Sequence, residues 1–191
     1  LSGIFDFFDG MAARALKIKN SIGKDLDSLA DVVSFGFLPG AIMYHLFKAS
    51  DVPHPYLSYF AFIITLFSAL RLAKFNNDTR QAVDFIGLNT PMNTLFIVSL
   101  PFIANDYPTV IGSTALLVGI VAVTSYLLVS EIKIFSMKLS DVSWANNKMK
   151  YIFLMLSAVL IALLKFTAVP FILALYIGLS ILHFRAQSAR R

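Results

Sequence analysis

The chain of 191 residues contains no cysteine, and only 14% of it is Asp, Glu, Lys or Arg. The first absence removes disulfide frameworks, thiolate zinc centres and cysteine nucleophiles, so any chemistry must come from carboxylates, hydroxyls, imidazoles or bases. The second falls well below the roughly 25% charge of an average soluble protein, while 58% of the residues are apolar or aromatic and the mean hydropathy is +0.75. That surplus of apolar surface excludes an ordinary soluble domain and makes the bilayer the natural solvent. A basic n-region and a small-residue cleavage site are also missing, so the start does not read as a signal peptide. The chain opens on Leu1 rather than Met, and Leu1 to Phe8 reads as the last turns of a helix that begins ahead of it.

A membrane-spanning helix needs about 20 mostly apolar residues. Six stretches approach that length, near Leu29 to Phe47, Tyr56 to Phe75, Pro91 to Ala104, Thr109 to Ser130, Tyr151 to Leu164 and Val169 to Phe184; the third, fifth and sixth are short. Turn formers such as Asp51-Val52-Pro53-His54-Pro55 and Asn105-Asp106-Tyr107-Pro108 separate them. The expected fold is therefore all-α, a polytopic transmembrane helix bundle with six full spans plus the end of an N-terminally truncated span, in a single membrane-embedded domain over residues 1–191. The basic residues divide unevenly on this map. Of 16, 14 fall within Arg14 to Lys24, Arg71 to Arg80, Lys133 to Lys150 and Arg185 to Arg191, and only Lys48 and Lys165 fall on the other side. The positive-inside rule then places those basic segments and the C-terminus in the cytoplasm. Their spread over separate loops, without interleaved aromatics, argues against nucleic-acid binding.

The carboxylates carry the chemistry. Asp6 and Asp9 are three apart and Asp27 and Asp31 four apart, so each pair shares a helix face. Asp31 lies inside the apolar run Leu29-Ala30-Asp31-Val32-Val33, where an ionisable group costs about 2.5–3.5 kcal/mol at a helix centre and less near an interface. Any one of these residues is as readily a helix-end dipole partner, but capping does not call for a carboxylate inside an apolar run. Carboxylates gathered together raise one another's pKa values, whereas divalent cations would hold them ionised. Oxygen-only donors favour Mg²⁺ or Mn²⁺ over zinc, and a pair of such ions can clamp a phosphoryl group. Gly10 and Ala13 leave room for a substrate near backbone, and Arg14 offers a fork for phosphate oxygens.

Asp6-x-x-Asp9-Gly10-x-x-Ala13-Arg14, followed after eight residues by Gly23-x-x-x-Asp27-x-x-x-Asp31, resembles the complete signature of the CDP-alcohol phosphatidyltransferase family. The resemblance implies a membrane-embedded helical enzyme, a possible homodimer, in which Asp6, Asp9, Asp27 and Asp31 hold two divalent ions. It further implies that Gly10, Ala13, Arg14, Asn20 and Gly23 seat CDP-diacylglycerol, and that Asp31 is the base toward the acceptor alcohol.

The stretches Ser28 to Gly36, Ala69 to Asn76, Asp78-Thr79-Arg80-Gln81 and Phe85-Ile86-Gly87-Leu88 are similar to the integral-membrane phosphatidylserine synthases of that family, departing at Asn89, where relatives usually carry proline. This implies L-serine as acceptor, with phosphatidylserine and CMP as products, in the cell (inner) membrane with the active site facing the cytoplasm. Arg71, Lys74, Asn76 and Arg80 cluster near the carboxylates on the membrane map and suit a phosphate or the serine carboxylate. Anchoring and snorkelling explain basic helix ends equally well. Glycerol 3-phosphate or inositol phosphate as acceptor keeps the same chemistry, and a cation-coupled transporter is the reading of a different class. His45, His54 and His183 fall away from the aspartates, the 18 Phe and seven Tyr read as lipid contacts and interface belts, and Glu131 to Lys150 reads as partly amphipathic on the membrane surface.

Overall fold

The computed structural model describes residues 21–78, 85–137 and 143–188. These are mostly helical. Helix α1 (Ser21–Asp31) runs through a π-helical turn (Val32–Phe37) into α2 (Leu38–Ala49). A 3₁₀ stretch (Pro55–Phe62) leads into α3 (Ile63–Asn77), and α4 (Thr90–Asp106), a short α5 (Pro108–Ile111) and α6 (Thr114–Val129) follow. Helices α7 (Trp144–Leu164) and α8 (Ala168–Ser188) complete the order, joined by the 3₁₀ turn Lys165–Thr167.

Three stretches are long and apolar enough to cross a membrane, Asp25–Ala49, Pro55–Asn77 and Asn147–Ala186, and they mark the chain as an integral membrane protein. The last stretch, of 40 residues, folds back at Lys165, whose φ of 51° is the one positive value on a described non-glycine residue. Helices α7 and α8 therefore pack as a hairpin, with the rings of Phe153 and Tyr176 at 5.2 Å. The six crossings expected from hydropathy are not established by these lengths. Helix α4 has 17 residues and α6 only 16, about 25 Å at 1.5 Å per residue, short of a hydrocarbon core of roughly 30 Å. The stretch Thr109 to Ser130 is not one helix, because the chain breaks at Gly112 and Ser113 between α5 and α6.

Local chemistry sets these boundaries. Asn89 caps α4, its side chain accepting from the Met92 N–H at 2.9 Å with Pro91 in the first turn. At the end of α6 the Ser130 hydroxyl donates to the Leu127 carbonyl at 2.9 Å. Beyond it the chain is extended: β2 (Lys133–Ile134) pairs antiparallel with β1 (Phe85–Ile86), Phe85 opposite Ile134 and Ile86 opposite Lys133. Residues 131–137 are thus no surface amphipathic helix, since Ile134, Phe135 and Ser136 are buried. Non-helical backbone inside a bundle must find partners, and it does: Tyr176 Oη donates to the Phe135 carbonyl at 2.8 Å, and Phe135 N–H donates to Ser180 Oγ at 3.4 Å. The core runs through Met43, Phe47, Ile64, Leu88, Ile97 and Leu117 to Ile134 and Tyr176.

The contacts sort the bundle into two ends. Asn76 meets Ser28, Arg71 meets Leu88, Lys74 meets Val129, and His183 meets Phe135 at one end. At the other end Thr114 donates to the Asp51 carbonyl, and Phe102 stacks on Phe166 at 4.4 Å. Lys48 and Lys165 close helices at this second end, whereas Arg71, Lys74 and Lys133 lie at the first.

Candidate active site at one end of the bundle

Helix α1 brings Gly23, Asp27 and Asp31 onto one face by their four-residue spacing. Asp27 is exposed and Asp31 half-buried at the last α-helical position before the π-turn. That turn is held from outside. Thr65 Oγ1 donates to the Gly36 carbonyl at 3.0 Å, while Ser68 Oγ at 3.4 Å and Thr94 Oγ1 at 3.1 Å both donate to the Phe35 carbonyl. π-Turns interrupt the helical hydrogen-bond register and recur at functional sites. Here hydroxyls from α3 and α4 fix the turn directly after Asp31.

The close approach depends on glycine. A Cβ on Gly36 would lie 3.1 Å from Ser68 Cβ, and one on Gly40 would lie 2.6 Å from Thr65 Oγ1. With Ala61 opposite them, these small residues let the two helical segments meet nearly backbone to backbone.

On α3, Arg71 is buried, only 6% exposed, which rules out snorkelling. Its Nε donates to the Leu88 carbonyl at 3.2 Å, and its guanidinium lies 5.0 Å from the Phe75 ring centre and 6.0 Å from that of Phe85. Asp31 is the carboxylate whose field reaches it. Lys74, about half exposed, donates to the Val129 carbonyl at 3.3 Å and pairs with Glu131 at 3.5 Å. Asn76 Nδ2 donates to Ser28 Oγ at 2.7 Å, tying the end of α3 to α1 beside Asp27. Carboxylates and basic cluster therefore share one end of the bundle.

Asp6, Asp9, Gly10, Ala13, Arg14, Asn20 and Arg80 lie outside the described residues. Among the described residues no three His, Asp or Glu side chains form a metal-sized group. Asp27 and Asp31 are half of the expected set, and their carboxylate-only chemistry fits a hard divalent cation. Glu131, Thr65 and Thr94 escaped the reading of the sequence. Glu131 reaches Lys74 only through the end of α6, and two-residue strands have no periodicity to announce them. His45 and His54 are exposed toward the second end, whereas His183 lies at the same end as the aspartates, packed on Phe135 and Phe184.

The sequence is similar to those of known proteins. The profile of the CDP-alcohol phosphatidyltransferase family matches residues 1–127. A CDP-diacylglycerol–serine O-phosphatidyltransferase of Bacillus subtilis is 37% identical over 134 residues, 69% of this chain and 70% of that protein. Proteins of the same name from Methanocaldococcus jannaschii and Helicobacter pylori J99 are 36% identical over 133 residues and 30% over 161, covering 70% and 83% of this chain and 59% and 66% of their own lengths. With the aspartate spacing, the shared end of the bundle and a profile match over most of its length, the chain belongs to the CDP-alcohol phosphatidyltransferase family.

Proposed function

We propose that the protein transfers the phosphatidyl group of CDP-diacylglycerol to L-serine, giving phosphatidylserine and CMP. The observation that carries this is that Asp27 and Asp31 on α1 and buried Arg71 on α3 lie at the same end of an apolar bundle, where Asn76 of α3 donates to Ser28 beside Asp27. The names of the similar proteins support serine as the acceptor.

In this reading residues 1–191 form one catalytic unit with six crossings, a homodimer in the cell membrane whose active end faces the cytoplasm. The diacylglycerol chains remain in lipid, and Gly10, Ala13, Arg14, Asn20 and Gly23 seat the CDP portion. Asp6, Asp9, Asp27 and Asp31 would hold two Mg²⁺ or Mn²⁺ ions, which supply charge neutralisation at the pyrophosphate. Asp31 accepts the serine hydroxyl proton as the serine oxygen bonds to the phosphorus bearing diacylglycerol. The bond from that phosphorus to the CMP phosphate oxygen breaks, and CMP leaves with the electron pair. Arg71, Lys74, Asn76 and Arg80 orient the acceptor.

The test is CMP release from CDP-diacylglycerol in detergent with Mg²⁺ or Mn²⁺, comparing L-serine, glycerol 3-phosphate, inositol phosphate and no acceptor. Release that requires serine and stops on chelation is the expected result. Release with only another alcohol would overturn the acceptor, and none with any would overturn the reaction.

A further inference from the structure

Beside the basic cluster runs a narrow crevice of about 240 Å³, counting its open mouth, lined by Arg71, Lys74, Asp78, Ile86, Ser130 and Glu131, among others. Its closed part has room for about one water. Its floor carries an unused donor, since Arg71 is 6% exposed and its Nη2 has no hydrogen-bond partner among the described residues. A buried charged donor left unpaired is costly and calls for an acceptor. The mouth carries charges of both signs, with Lys74 Nζ 3.5 Å from Glu131 Oε1. That ion pair is 46% and 62% exposed at its two side chains, so it holds weakly and opens readily.

Glu131 is set firmly at this position. Ser130 ends α6, Lys133 is paired to Ile86, and Gly87 packs against the Leu128 and Ser130 carbonyls. The chain therefore presents a carboxylate at the mouth of a crevice whose floor is cationic.

We propose that Glu131 is a specificity residue that reads the ammonium group of an α-amino acid, while Arg71 and Lys74 take its carboxylate; this rests on the serine reading above. A zwitterion entering the mouth would set its carboxylate toward Lys74 and Arg71 and its ammonium toward Glu131, in place of the Lys74–Glu131 contact. A dianionic phosphate acceptor would suit Lys74 and Arg71 but bring its negative charge against the carboxylates of Glu131 and Asp78 that also line the crevice. The crevice thus selects by repulsion as well as by attraction.

The experiment uses serine-dependent CMP release with 3-hydroxypropanoate, which is serine without its ammonium group, and ethanolamine, which lacks the carboxylate, as competing inhibitors. Both should bind the unaltered protein at least about tenfold more weakly than serine, as expected when a charged hydrogen bond is lost. Glu131→Gln should raise the KM for serine by about tenfold, with kcat falling by less, and leave 3-hydroxypropanoate binding unweakened; Glu131→Asp should recover part of the loss. A structural role for Glu131 would weaken serine and 3-hydroxypropanoate alike, and that result overturns the proposal. So does an inhibition constant for 3-hydroxypropanoate equal to the KM for serine on the unaltered protein, an arm that needs no variant to fold. Absence of serine-dependent release from the unaltered protein would instead overturn the serine reading itself.

Discussion

The helical segments at the start of the described chain and the hairpin at its end bury themselves in different ways. Asp25–Ala49 and Pro55–Asn77 meet over Gly36, Gly40, Ala61, Thr65 and Ser68, with hydroxyls donating to backbone carbonyls across the seam. The α7–α8 hairpin meets over rings, Phe153 against Tyr176 at 5.2 Å, with Phe135 of the preceding extended segment set edge-on to both. The apolar windows of the first two stretches are 28% and 33% buried, that of the hairpin only 17%. The family profile covers residues 1–127 and so ends before the hairpin. A seam of backbone and small residues admits few rearrangements, whereas aromatic packing in lipid tolerates substitution as long as volume is kept. In the proposed reaction Asp31 at the end of α1 is the proton acceptor, and the contacts that anchor this end are ones that do not slide.

Substitutions at the two regions can break this contrast. The largest effect belongs to Asp31→Asn, which removes the proposed proton acceptor while keeping the side-chain volume. CMP release should fall by about 10²–10⁴-fold, with thermal unfolding in detergent little changed; retained activity would remove Asp31 from the mechanism. Next comes Gly87→Ala. Gly87 has a φ of +77°, and its added Cβ would lie 2.7 Å from the Leu128 carbonyl oxygen and 2.9 Å from that of Ser130, backbone atoms that cannot rotate away. A loss of about 2 kcal/mol in stability is expected, read from unfolding in detergent. Gly40→Ala should cost about 1–3 kcal/mol by overpacking, because Thr65 Oγ1 stands 2.6 Å from the new Cβ. Thr65→Ala alone should cost about 0.6 kcal/mol for the lost hydrogen bond to Gly36. The pair Gly40→Ala and Thr65→Ala should cost less than the sum, since removing the hydroxyl removes the clash; strict additivity would show that the two helical segments do not meet as tightly as these distances state.

The same contrast explains what could be read from the amino-acid sequence. The spacing of Asp27 and Asp31 is a local property of one helix, and the structure keeps both on one face of α1. Arg71 stood out as a charge in apolar chain, and it is buried. The hairpin helices were read at Tyr151 to Leu164 and Val169 to Phe184; α8 runs on past Phe184 through polar residues, and α7 is preceded by a polar helical turn from Trp144 that joins it across a kink at Asn147. The π-turn left no trace, since Val32–Phe37 has the same apolar composition as a regular turn. Glu131 was missed for a different reason: Lys74 and Glu131 are 57 positions apart, and only the β1–β2 pairing and the end of α6 bring the two together. Properties set by neighbours along the chain were legible, and those set by contacts between distant segments were not.

The smallest expected effect lies in the hairpin and is the sharpest control on the comparison. Gly178 sits within α8, and a Cβ built there meets no atom within 4 Å outside its own helix backbone. Glycine in a helix interior is less favourable than alanine by roughly 0.5–1 kcal/mol, so Gly178→Ala should leave stability unchanged or raise it by up to about that amount. Serine-dependent CMP release should stay within about twofold, since helix-surface substitutions away from a site are usually within about 0.5 kcal/mol. Gly40→Ala and Gly178→Ala are the same chemical change on two helices of the same bundle, and only the first should lower the unfolding temperature. Were Gly178→Ala to cost as much as Gly40→Ala, the open space beside Gly178 would have to be filled in the membrane. The face of α8 would then be a packed seam against a second copy of the chain, not a lipid-facing surface.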